Sequence, residues 1–313
     1  MSEKPARSID QNLACRIDRL TREGSVDFHL HSSFSDGSET PQTIVKLMIG
    51  AGLRAFALTD HDTTQGIVKA AALLEKLQQE PDRLRSLVSS ATSDASTKLS
   101  NPDFFPGVEL SCEFEGQEVH VLAYFWKKEA AFKLRPYLRT LGRSREKRNR
   151  QMIERLRELG FAISVEELRS LAENKVGRVH MGQWLIKHGA VQDMSEAFAR
   201  YLGRDGLAYV PRERKSVAES IQHVHEYGGV AFIAHPHEYG WCDENSLLRQ
   251  KIERLLPCGL DGIEAFHSQA SPEARALALA VAEQFSLPVS AGSDWHGSNR
   301  PGRDFYKRGT TFF

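Results

Sequence analysis

Seven short apolar runs, most of them closing on a histidine or a carboxylate, constrain the fold of this chain more than any other feature. They cover residues 25–31 (SVDFHLH), 53–60 (LRAFALTD), 104–114 (FFPGVELSCEF), 118–125 (EVHVLAYF), 228–235 (GGVAFIAH), 260–267 (LDGIEAFH) and 287–294 (LPVSAGSD). Runs so continuously apolar suit strands buried on both faces, as in a parallel sheet or barrel. Helical patterns fill most of the gaps, among them TPQTIVKLMIGAG, with Pro41 in its first turn, and SPEARALALAVAEQF. Repeated strand–helix units predict an α/β barrel or open sheet. The third and fourth runs are joined differently, by a short EGQE turn that reads as a hairpin.

Three segments stand outside this rhythm. Residues 1–24 form an N-terminal extension. Residues 82–103, rich in Ser, Thr, Ala and Asp, are expected to be a mobile surface insertion. Residues 126–210 read as helices only and are expected to be a small all-helical domain inserted into a barrel built from 25–125 and 211–313.

Bulk properties exclude several classes of function. The 41 basic and 41 acidic residues cancel, so no global field draws the chain to a polyanion or a membrane, and any anion recognition must be local. The four cysteines are scattered without a CxxC pair, which points to reduced thiols. Neither a signal-type apolar core nor a membrane-length apolar run is present, so a cytoplasmic location with no membrane association is expected, and no obligate protein partner is evident.

The chemistry concentrates at the strand ends. His29 and His31 sit two apart, which in a strand turns both rings to one face, and Asp36 follows in a Ser/Gly loop. His61 lies in TDHD, Glu109 in PGVE, His235 in AHP, and Asp294 with His296 in GSDWH; His120 lies near the start of its strand, as the hairpin requires. In barrel-like folds the C-terminal ends of parallel strands share one rim, so these six histidines and three carboxylates should converge. They are too many for one ion and would hold two or three, with Glu109 as the bridging carboxylate. Imidazole mixed with carboxylate suits Mn²⁺, Fe²⁺ or Zn²⁺ better than Mg²⁺ or Ca²⁺. The surplus of cationic charge favours an anionic substrate, and phosphate is the obvious one. A hydroxide held between ions near Glu109, His29, His31 and His235 would attack phosphorus in line.

The ordered set HLHSSFSDG, TDHD, PGVE, VHVLAY, AHP and GSDWHG resembles the PHP (polymerase and histidinol phosphatase) family of metal phosphoesterases, over residues 26–125 and 211–298. The resemblance implies an α/β fold, a distorted (β/α)7 barrel with three metal ions, Mn²⁺ foremost. It would place the first ion on His29, His31, Glu109 and Asp294, the second on Glu109, His120 and His235, and the third on Asp36, His61 and His296. Asp60 and Asp62 flank His61 and are expected to orient imidazoles. His237 and His267 fall outside the ligand pattern.

The helical segment carries the substrate clues. Leu159, Leu156 and Met152 form an apolar stripe that, extended backwards by three and four residues, reaches Arg148, Arg145 and Leu141. Two arginines therefore fall on the buried side of the helix, where each needs an anion, either an internal carboxylate or a substrate phosphate. GRVH places Arg178 and His180 at the start of a further helix. An R-x-x-R-N helix, here Arg145, Arg148 and Asn149, with a GRPH-like element, resembles the nucleoside 3′,5′-bisphosphate phosphatases and 5′-to-3′ exoribonucleases of the family; Val179 stands where that pattern has Pro. The resemblance implies a nucleotide substrate, a 3′,5′-bisphosphonucleoside or a 5′-phosphorylated short RNA end. Histidinol phosphate, with its single phosphate, is the alternative.

Overall fold

The computed structural model describes residues 12–80, 101–171 and 176–313. The insertion expected at 82–103 falls almost wholly outside them, as do residues 1–11. Eight strands form one sheet: β1 (Val26–Asp27), β2 (Ala55–Leu58), β3 (Asp103–Phe114), β4 (Gln117–Tyr124), β5 (Lys215–Ser216), β6 (Val230–Ile233), β7 (Gly262–His267) and β8 (Val289–Gly292). Seven follow the order β1-β2-β3-β4-β6-β7-β8, with β5 beside β3. β4 alone runs antiparallel to its neighbours. Phe28 N donates to Ala291 O at 2.9 Å and His31 N to Trp295 O at 3.0 Å, so the two outer strands meet just beyond their ends and the sheet nearly closes. The distorted seven-stranded barrel expected from the sequence is thus the fold observed.

Local chemistry explains the elements. Every residue of β2, β7 and β8 is buried, as their apolar runs require. The reversal into β4 uses Glu115 and Gly116 with φ of 52° and 77°, the two left-handed residues of a tight hairpin. It pairs Ser111 with His120, so the start of β4 reaches the rim where the parallel strands end. Helix Pro41–Gly50 begins where Thr40 accepts from Thr43 N at 3.1 Å, and helix Pro272–Gln284 where Ser271 accepts from Ala274 N at 3.1 Å, each with proline in its first turn. Helix Leu13–Glu23 buries Leu13, Ile17 and Leu20 in the barrel core, and Asp18 accepts from Val289 N at 3.0 Å. This stretch of the N-terminal extension is integral to the barrel.

The long helix Arg135–Glu158 belongs to two cores. Leu134, Tyr137, Leu138 and Leu141 pack into the barrel cluster, whereas Met152, Ile153 and Leu156 join a separate cluster with Leu168, Met181, Trp184, Leu185 and Leu202. Residues 142–151 bridge the two, and the arginines of interest sit in that bridge. No helix among the described residues is long and apolar enough to cross a membrane.

Candidate metal centre and anion cavity

The strand ends deliver the ligand-type residues to one point. His29 and His31 follow β1, His61 follows β2, His235 follows β6, and Asp294 and His296 follow β8. Among the described residues, three of the six non-glycine positions with positive φ lie at these strand exits: Asp62 (50°), His235 (30°) and Asp294 (53°). Left-handed backbone costs on the order of 1 kcal/mol or more per residue and persists where the surroundings impose it. Here it turns side chains toward the rim.

Glu109 is the hub. Its Oε2 lies 3.2 Å from His29 Nε2, 3.1 Å from His31 Nε2 and 3.0 Å from His61 Nδ1, and its Oε1 lies 2.7 Å from His120 Nδ1 and 3.0 Å from His235 Nε2. Asp294 Oδ1 is 3.3 Å from His29 Nε2 and 3.1 Å from His31 Nε2, while Asp36 Oδ1 is 3.2 Å from His296 Nε2. Three overlapping groups of metal-binding type result: His29, His31, Glu109 and Asp294; His61, Glu109 and His120; and His31, Asp36, His61 and His296. His235 joins the second through its 3.4 Å approach to His120. All nine residues singled out as ligands are brought together. Within the site, His29 Nε2, His31 Nε2, His61 Nδ1, His296 Nε2, Asp36 Oδ1 and Glu109 Oε2 are buried without a directed hydrogen-bond partner. Orphaned lone pairs aimed at a common centre are costly unless a cation satisfies them, so the donor set fits divalent ions.

Charge distribution agrees. Against the cost of burial, the rings of His61, His120 and His29 hold Glu109 well below the usual carboxylate range. Burial likewise opposes Asp36, yet His296 and His61 hold it low. Glu264 is the carboxylate that orients the site from behind. Its Oε1 takes His29 Nδ1–H at 2.9 Å, which leaves Nε2 facing the centre, and its Oε2 accepts from His235 N at 2.7 Å. A side chain at Gly292 would put its Cβ 2.3 Å from Glu264 Oε1, so only glycine permits this approach.

Beside the ligands lies a cavity of about 230 Å³ whose lining combines Asp36, His61, Glu118 and His120 with Arg145, Arg148, Arg178, Arg212 and Arg300. Its guanidiniums are not equivalent. Arg145 and Arg212 both pair with Asp62, at 2.7 and 3.0 Å. Arg178 approaches Glu118 at 3.9 Å, and Arg214 pairs with the same carboxylate. Arg300 meets Asp294 at 3.0 Å and Asp36 at 3.5 Å. Arg148, only 5% exposed, has no carboxylate partner among the described residues, and its Nε lacks an acceptor. Burial and the neighbouring charges of Arg178, Arg145 and Arg212 pull its pKa down, the signature of a cation that wants an anion.

Comparison with known proteins decides the family. The PHP domain signature matches residues 27–133. The chain is 30% identical over 287 residues to a 3′,5′-nucleoside bisphosphate phosphatase of Chromobacterium violaceum, covering 90% of each chain. It belongs to the PHP family. A 5′-3′ exoribonuclease of Haemophilus influenzae is 29% identical over 270 residues, 86% of this chain and 89% of that one. A solved structure from Bifidobacterium adolescentis, described as a metal-dependent phosphoesterase, superposes with a TM-score of 0.73 at 28% identity, covering 90% of this chain and 92% of the other. The protein is a metal-dependent phosphoesterase of the PHP family.

Several side chains of this PHP enzyme sit differently from the sequence expectation. Asp60 accepts from Ser32 N and Ser32 Oγ, both at 2.7 Å, and from Ser35 Oγ at 2.8 Å; it pins the loop that presents Asp36 and reaches an imidazole through Ser35, whose Oγ lies 3.4 Å from His31 Nδ1. Asp62 holds Arg145 and Arg212 and accepts from Ser111 N at 2.9 Å. Direct orientation of a ligand imidazole is seen for Glu264, which the sequence reading did not single out. Asn149 is not among the residues lining the cavity; it donates to the backbone of one that is, Val176 O, at 2.6 Å. His180 does not line the cavity; its Nδ1 accepts from Gly177 N at 3.0 Å, closing the first turn of helix Arg178–Lys187. Leu159, expected in the buried stripe, is 42% exposed because the helix has ended. His237, Glu238 and His267 form a fourth cluster. Gln269 N donates to His267 Nδ1 at 3.1 Å, so a neutral His267 carries its proton on Nε2 and has no second lone pair for an ion. Arg212, Arg300 and Glu264 escaped the sequence reading. Glu264 had a signal, a carboxylate inside a fully apolar run, which must find a partner when buried.

Proposed function

We propose that this PHP enzyme hydrolyses the ester on the 3′ oxygen of a nucleotide that carries a 5′-phosphate, with nucleoside 3′,5′-bisphosphates as its substrates. The observation that carries the reading is Arg148, a buried guanidinium without a carboxylate partner, lining the same cavity as the ligand residues Asp36, His61 and His120. A substrate with two phosphates can meet the ligand residues and Arg148 at once; one with a single phosphate leaves Arg148 unpaired. The relative from Chromobacterium violaceum, named for such a substrate, supports the same choice.

In this reading Arg148 and Arg178 bind and orient the 5′-phosphate. Phe198, which lines the cavity with the Arg178 guanidinium 5.5 Å from its ring, supplies an apolar wall for the nucleoside. Asp62 keeps Arg145 and Arg212 in place. His29, His31, Asp36, His61, Glu109, His120, His235, Asp294 and His296 would hold three divalent ions, Mn²⁺ foremost. Such ions supply an activated water at neutral pH and neutralise charge on the phosphate undergoing attack. Glu264 keeps His29 in the tautomer that presents Nε2. Ser and Cys side chains are not needed as nucleophiles, and Cys112, the cysteine nearest Glu109 in the chain, is buried with its thiol pushed up to about 12 by burial.

The test is a side-by-side assay of adenosine 3′,5′-bisphosphate, histidinol phosphate, and short oligoribonucleotides bearing a 5′-phosphate or a 5′-hydroxyl. Preference for the bisphosphate and dependence on the 5′-phosphate are expected. Preference for histidinol phosphate, or indifference to the 5′-phosphate, defeats the reading.

A further inference from the structure

A second concavity, about 540 Å³, opens on the other side of the Asp62–Arg145 pair. Its walls are Thr63, Thr64 and Gln65, which directly follow the ligand residue His61, and the first turns of helix Arg135–Glu158. That helix presents Arg135, Arg139 and Arg143 to the groove at intervals of four residues, which aligns them on one face about 6 Å apart along the axis. Arg135 leans on the Phe132 ring at 4.0 Å and donates to Thr64 Oγ1 at 3.4 Å. Arg139 and Arg143 are exposed and have no carboxylate partner among the described residues. The acidic groups facing the groove are Asp62, already neutralised by two arginines, and Glu146, 3.9 Å from Arg150. The groove therefore carries net positive charge on a chain whose overall charge is zero.

We infer that this groove binds the phosphodiester backbone of single-stranded RNA on the 3′ side of the bond being cleaved. The inference rests on the function proposed above and extends its substrate from the mononucleotide to the oligonucleotide. The cavity and the groove adjoin along the chain, His61 lining the first and Asp62, Thr63 and Thr64 the second, so a strand longer than the nucleotide held beside the ligand residues has the groove next to it. Arginines at four-residue steps match the stride between successive phosphates of an extended strand, and they contact backbone rather than base edges, so binding there is independent of sequence.

The experiment compares wild type with the Arg139→Glu/Arg143→Glu double variant on adenosine 3′,5′-bisphosphate and on a 5′-phosphorylated decaribonucleotide of mixed sequence. Both sites are exposed, and turnover of the bisphosphate reports that the variant is folded. The expected result is a loss of about tenfold or more in kcat/KM on the decanucleotide with bisphosphate turnover kept within about twofold, and a log–log salt dependence shallower by about 1.4, the share of two phosphate contacts on a single strand. The neutral Arg139→Gln/Arg143→Gln variant should fall between. Equal losses on both substrates, or none on either, overturn the inference. A wild-type enzyme that turns over the bisphosphate but not the decanucleotide overturns it too, and leaves the mononucleotide reading standing. Indifference to the 5′-phosphate would instead defeat that earlier reading.

Discussion

Replacing Arg148 by methionine separates binding from folding, because the two should move in opposite directions. Arg148 is 5% exposed and stands among Arg145, Arg178 and Arg212 with no carboxylate of its own. In the unliganded protein it is therefore a desolvated, repelled charge. Methionine keeps the length and apolar stem, fills most of the volume, and removes that charge. Exchanging buried charges for well-packed apolar groups is neutral to stabilising by about 1–4 kcal/mol, whereas truncating an ordinary buried side chain costs roughly 2–5 kcal/mol. The variant should accordingly melt at the same temperature as wild type or a few degrees higher. Substrate binding should suffer the reverse. A hydrogen bond to a charged group contributes about 1.5–3 kcal/mol, so loss of the Arg148–phosphate contact should raise KM for the bisphosphate roughly 10- to 150-fold. An aryl phosphate, which has nothing to place beside Arg148, should be turned over as before. Thermal unfolding followed by circular dichroism, with steady-state kinetics on both phosphates, measures all of this. A drop of several degrees in melting temperature with equal losses on the two substrates would show that Arg148 has an internal partner, and the case for a second phosphate would collapse.

Asp62→Asn has the opposite logic: it strands Arg145 and Arg212 without a counter-ion, and chemical denaturation should reveal a loss of about 3–5 kcal/mol. Although burial opposes it, Arg212 and Arg145 hold the Asp62 carboxyl below its usual range, so its stabilisation is present above the unfolded value of about 4 and lost as pH falls below it; the variant should lack that acid dependence. Glu264→Gln should lower metal affinity or activity about 10- to 100-fold, measured by elemental analysis beside kinetics, because His29 loses its anionic anchor. Burial raises the Cys112 thiol to about 12, so it should resist alkylation at pH 8 in the native state. Its raised value also means stability that is intact below the unfolded thiol value of about 8.5 and falls by about 1.4 kcal/mol per pH unit above it; urea titrations of wild type and Cys112→Ala should differ by that slope.

The legible part of this protein was the part whose meaning is carried by short-range pattern. Most ligand-type residues lie in or just beyond the apolar runs, Asp36 in its Ser/Gly loop excepted, and a barrel gathers the ends of such runs at one rim, so knowing the runs was nearly enough to know the cluster. Arg148 was legible for a related reason: helical period alone places it on the line through Met152 and Leu156, both fully buried. Period fails where the helix stops, as at Leu159, and it cannot tell which face of a bridge between two cores a side chain will meet, as at Asn149. Partnership was not legible at all. Arg212 meets Asp62 across 150 positions of chain and Glu264 meets His29 across 235, and no local pattern announces either pair.

Partnership is nevertheless what turns a phosphoesterase into a particular phosphoesterase. From the sequence, Arg145 and Arg148 are equal claimants for an anion. The fold breaks the tie, because Asp62 projects from a left-handed turn after β2 and reaches Arg145 and Arg212 but not Arg148. The same pair divides the cavity from the basic groove behind it. On the function proposed above, substrate choice is governed less by the ligands, whose pattern marks the family, than by which arginines a single buried aspartate neutralises.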